Sequence, residues 1–195
     1  ISLYYTRNTH SVTVTAGTGI SATTGTATGV KFGATVSITM TLKNGYQTGV
    51  WTTSDITAPT GTSTSFTMPD KDVALTASAS TITYTITYDA KGGASVTAKS
   101  YTVTSTDTLP STTKTGYTFA GWKPNAAAGS WSASTTYASG TSLTGKYGSV
   151  TLNAQWTPNT NTAYKVKHYQ ENVDGTYTLK ATDDLTGTTA ASLTL

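Results

Sequence analysis

"GYTFAGW", residues 116–122, repeats in outline a stretch already met at 45–51, "GYQTGVW". Each has a Gly-Tyr pair and a Trp six positions after the Gly, and the two Trp residues, Trp51 and Trp122, lie 71 positions apart. Aromatic residues make up only 10% of the chain. The same cluster repeated at the length of one small domain predicts two copies of one fold in tandem, each plugged by its own aromatic core.

The flanks carry the same reading outward. "DVALTAS" (72–78) and "SVTLNAQW" (149–156) place Val73, Leu75 and Ala77 against Val150, Leu152 and Ala154 in the same order. "TVSITMTL" (35–42) alternates Val36, Ile38, Met40 and Leu42 with Thr and Ser, and "TITYTITY" (81–88) alternates Ile82, Tyr84, Ile86 and Tyr88 with Thr. Period two over eight residues predicts a half-buried strand in each case. The copies differ most in "KPNAAAGSWSASTTYASG" (123–140), which predicts a loop or a single short helix.

The boundaries follow: a first unit over 9–80, a second over 81–157, a polar linker "TPNTNT" (157–162), and a hairpin opening a third kind of unit within 158–195. Asp174-Gly175 is the favoured pair for its tight turn. Residues 1–8, "ISLYYTRN", predict a single strand that closes a preceding unit.

The 195 residues hold 49 Thr, only 11% charged residues and no Cys. β-Branched Thr suits a sheet with one wet face, so the class is mostly β. The net charge of +3 comes from scattered Lys rather than a basic block, which argues against nucleic acid. Nothing resembles an apolar membrane span. The first residue is Ile rather than Met, and the chain is expected to be an internal piece of a longer protein.

Catalysis has poor raw material. There is one Glu, Glu171, and two His, His10 and His168, near opposite ends of the sequence. Asp70 and Asp72 flank Lys71 after a Pro, which reads as turn chemistry rather than a carboxylate pair. "PDKD" and Asp183-Asp184 are weak calcium signals, and neither a metal site nor a cofactor is expected. Lys99 or Lys146 with Asn153 is the nearest approach to an isopeptide crosslink. Tyr46, Trp51, Tyr117, Phe119, Trp122 and Trp156 are read as structural core. Trp131, with Tyr137 and Tyr147, is the candidate ligand contact, because exposed rings stack on sugars, although packing is the favoured reading of Trp131.

The residues over about 82–156, "TITYDAKGGASVTAKSYTV…LPSTTKTGYTFAGW…SVTLNAQW", resemble the internalin B-type repeat, also called the Listeria–Bacteroides repeat. Residues 9–80, with "VTVTAGTGIS", "GYQTGVW" and "FTMPDKDVALTA", resemble its divergent form, the closing aromatic replaced by Ser. "YKVKHYQENVDGTYTLKATDDLTGTT" resembles the start of a mucin-binding-protein repeat, and "LYYTRN" the last strand of one. The resemblance implies tandem β-grasp-like (ubiquitin-like) domains in an elongated array, without catalytic residues, on the surface of a mostly Gram-positive bacterium. It implies a stalk held to the cell wall through the parent protein, or an adhesin contacting a host glycan or surface protein. The expected state is a monomer with weak end-to-end association, residues 1–8 of one copy completing the terminal hairpin of another.

Overall fold

A computed structural model of the chain describes residues 1–192. They are strand and loop, with no helical residue among them. By packing they divide into two units: residues 1–84 with 101–105 and 144–147, and residues 85–100, 106–143 and those from 148 onward.

The first unit contains β1 (Thr9–Ala16), β2 (Ile20–Thr24), β3 (Ala27–Lys31), β4 (Thr35–Leu42), β5 (Tyr46–Thr52), β6 (Ser63–Thr67) and β7 (Val73–Thr81). Four form a sheet in the order β3-β1-β7-β5, and three form another in the order β2-β4-β6. β1 and β7 run parallel, from Val12 opposite Val73 to Ala16 opposite Ala77. The outer strands are antiparallel to them. Alternation decides which residues enter the core: Val36, Ile38 and Met40 of β4 and Val73, Leu75 and Ala77 of β7 share one buried cluster.

The next strands are β8 (Tyr84–Asp89), β9 (Lys99–Tyr101), β10 (Tyr117–Pro124) and β11 (Val150–Pro158), in the order β10-β11-β8-β9. Read from the other edge, this is the order of the first sheet. β8 and β11 are again a central parallel pair, Ile86 opposite Val150, and β10 lies antiparallel to β11. Among the described residues the second unit has no counterpart of the sheet β2-β4-β6. The connecting residues form loops held by isolated bridges, among them Thr108 with Ser142 and Ala128 with Trp131. Leu109, Trp131 and Leu143 from these loops are buried.

Last come β12 (Thr162–Glu171) and β13 (Tyr177–Gly187), an antiparallel hairpin in which Thr162 faces Gly187 and Glu171 faces Tyr177. Asp174 shapes its turn by accepting bonds from the Thr176 amide at 3.0 Å and hydroxyl at 2.7 Å.

Two expectations are corrected here. The run 81–88 is not one strand, because β7 ends at Thr81 and β8 starts at Tyr84. Thr81 still pairs with Tyr46, and the Ile82 amide bonds to the Gly45 carbonyl at 2.9 Å, so the run serves two sheets in succession. Residues 1–8 form no strand and are exposed. A strand needs a partner for its amides and carbonyls, and only the last residues of this stretch find one: the Asn8 carbonyl accepts from the Phe32 amide at 2.9 Å. Of the two alternatives for 123–140, the structure has the loop, following the end of β10.

Candidate functional site

Trp51 and Trp122 hold corresponding places. Trp51 lies opposite Ala77 on β7, and Trp122 opposite Ala154 on β11, each one bulge along from its Tyr. Their exposures are 4% and 0%. A buried indole must still spend its N–H on an acceptor. Trp51 donates to the Gly61 carbonyl at 2.9 Å and Trp122 to the Pro110 carbonyl at 2.7 Å.

The surroundings differ. Trp122 meets the Tyr88 ring at 4.8 Å and the Phe119 ring at 5.2 Å, and Phe119 meets Trp156 at 5.4 Å. Trp156 donates to the Ala90 carbonyl at 2.9 Å. Its ring lies so close to Gly93 that a Cβ there would come within 2.5 Å of it, which is why "DAKGG" ends in glycine. In the first unit the register puts Ala79, not the Ser next to it, at the place of Trp156. Gly49, opposite Ala79, stands where the second has Phe119 opposite Trp156. Tyr46 lies over Gly19, whose missing Cβ would meet the ring at 2.3 Å. Tyr117 is half-buried with the Lys114 ammonium 4.4 Å above its ring.

Of the candidate contact residues, Trp131 is buried and Tyr137 and Tyr147 are half-buried. Trp131 is 1% exposed. It packs edge-on against Tyr137 at 5.1 Å, while the Tyr137 hydroxyl accepts from the Ser132 amide at 3.0 Å. The Tyr137 backbone pairs with that of Trp122 through two bonds of 2.8 Å. The loop therefore folds onto β10 and uses its large ring to cover the sheet. Tyr147 is half-buried in the first unit, where its hydroxyl accepts from the Asn44 amide at 3.2 Å.

A concave surface of the second unit encloses about 350 Å³ and is lined by Thr85, Thr87, Asn125, Ser149, Thr151 and their small neighbours. It presents hydroxyls and one amide, without a ring for a sugar to stack on or a group that titrates near neutrality.

Titratable side chains pair in a way the sequence did not disclose. His10 Nε2 lies 2.8 Å from Asp70 Oδ1, and its Nδ1 lies 3.8 Å from Asp72. Asp70 also accepts from the Asn8 amide at 2.9 Å, and Asp72 accepts the Ser11 amide at 2.7 Å. These bonds, from His10 first and Asn8 next, hold the Asp70 carboxyl below its ordinary range. His168 pairs likewise with Asp183 at 3.0 Å. Each acidic spot read as a weak calcium signal thus meets one of the two His residues. Among the described residues no group of three or more His, Cys, Asp or Glu could hold a metal ion. Lys99, a candidate for crosslinking, pairs with Asp107 at 2.8 Å.

Residues 84–155 match the family model described as the Listeria-Bacteroides repeat domain, and residues 10–82 match that of the divergent InlB B-repeat domain. No curated protein and no solved structure matches the chain.

Proposed function

We propose that the chain is a non-catalytic spacer segment of a bacterial surface protein, because it matches a divergent InlB B-repeat followed by a Listeria-Bacteroides repeat, and such repeats are typical of bacterial surface proteins. In this reading the repeats hold a distal region away from a cell wall to which the parent protein is attached. The observation that carries it is the burial of the indoles of both Gly-Tyr…Trp clusters and of the loop 123–140. Trp51, Trp122 and Trp131 are all at or below 4% exposure, so the residues best suited to grip a ligand are committed to the core. No helix among the described residues is long and apolar enough to cross a membrane. We read the shared sheet as β-grasp-like on the strength of its parallel first and last strands, with loops or a second sheet where a helix would lie. The terminal hairpin is read as the opening of a mucin-binding-type unit, on its sequence alone.

Small-angle X-ray scattering tests the spacer role. A compact globule of this length has a radius of gyration near ~16 Å. A spacer is expected to exceed that by half or more, and a value near the compact figure overturns the proposal.

A further inference from the structure

Each repeat ties its first strand to its last by parallel pairing. The chain enters β1 at Thr9 and leaves β7 at Thr81, and the two strands point the same way. Tension applied at those two points slides one strand along the other, so the bridging hydrogen bonds are loaded together. β8 and β11 repeat the arrangement. The hairpin β12–β13 is the contrast within the same chain: Thr162 sits opposite Gly187, so tension there opens the bonds one after another.

The end of each parallel pair where tension enters is also capped. In the first repeat Asp72 Oδ1 accepts the Ser11 amide at 2.7 Å. In the second, Ser149 Oγ accepts the Thr85 amide at 3.1 Å. These are equivalent positions, since Ser11 and Thr85 precede Val12 and Ile86, while Asp72 and Ser149 precede Val73 and Val150. A side chain placed just before the last strand thus completes the ladder by one further bond, in two repeats whose residues there differ. The first repeat adds two more ties, from Asn8 and His10 to Asp70 Oδ1 at 2.9 and 2.8 Å. Its ladder also spans five paired positions, Val12 to Ala16, against four, Val150 to Asn153, in the second.

We propose that each repeat is a shear clamp that carries tension along the chain, closed by Asp72 or Ser149 at the end where its first strand is pulled. This gives the spacer reading a mechanical content and rests on it for its use in the cell. The clamp itself is measured separately, so compact scattering with a strong clamp would defeat only the spacer, and a weak clamp in an extended chain only the clamp.

The test is single-molecule force spectroscopy on the whole chain. The sequence holds no Cys, so introduced pairs are the only attachment points. Thr9→Cys with Thr83→Cys pulls β1 and β7 in shear, and Thr9→Cys with Lys71→Cys peels them apart from one end. The shear pair is expected to rupture at a several-fold higher force than the peeling pair. Asp72→Ala should lower the shear force, while Asp72→Asn, which keeps an acceptor oxygen, should restore most of it. Equal forces in the two geometries overturn the clamp, and this comparison needs neither Asp72 variant to fold. A shear force unchanged in a folded Asp72→Ala chain overturns the cap.

Discussion

The two repeats build one sheet and cover it by different means. In the first, the cover is the regular sheet β2-β4-β6, delivering Val36, Ile38 and Met40 by simple alternation. In the second, the cover is loop, delivering Leu109, Trp131 and Leu143 from scattered positions. The shared sheet keeps its central parallel pair, its bulged partner strand and its indole. What a sheet of this kind requires is apolar volume over its inner face, and regular structure is only one way to supply it. A loop can do so where its backbone polar groups find partners, as the Trp122–Tyr137 and Ala128–Trp131 bridges provide.

The largest effect should come from what the repeats have in common. Trp122→Ala is expected to cost about 3–5 kcal/mol, most of what a unit of roughly 70 residues has in hand. Urea unfolding measures it. A loss below about 1 kcal/mol would mean that the indole is not a plug in either repeat.

Next come the covers. Ile38→Ala and Trp131→Ala should each cost about 3 kcal/mol, since each removes a fully buried side chain from one cover. Amide exchange should then speed up in β4 and β6 for the first variant and in β10 for the second. If Trp131→Ala is far milder than Ile38→Ala, the loop collapses on the cavity and is the softer cover.

Ser149→Ala removes one bond to the Thr85 amide and should cost about 1 kcal/mol. Thermal melts would resolve it, and no change would mean that water replaces the hydroxyl at no cost.

Acid should have the smallest effect, and Asp70 of the first repeat is one place to read it. Asp70 is held below its ordinary carboxyl range, so its contribution is complete above the unfolded value and fades as pH falls through the lowered one. The loss therefore lies below about pH 4. Melting temperatures between pH 5 and pH 2 should fall more steeply in the native chain than in Asp70→Asn. Parallel slopes would show that the pairing with His10 and Asn8 contributes nothing, as is common for exposed pairs.

Much of this was legible beforehand. The inward residues of β4, β7 and β11 follow from alternation, and the hairpin turn follows from Asp174-Gly175. The sequence leaves Trp131 between packing, the favoured reading, and ligand contact, because a lone Trp in a loop of Ala, Ser and Gly carries no periodicity to say which side it faces. "TITYTITY" was misjudged for the opposite reason. Its alternation is unbroken, and nothing local marks where the demands of one sheet end and those of the next begin.

By itself the sequence determined the class, the repeat and the facing of most strands, because side-chain alternation and turn chemistry act over a few residues. Only the tertiary structure decided which strands meet. His10 reaches Asp70 across 60 positions, and Thr85 reaches Ser149 across 64. Those pairs exist because the first and last strands of each repeat lie parallel. The free energy that sets them side by side comes from burying a whole face at once, which no short stretch of sequence contains.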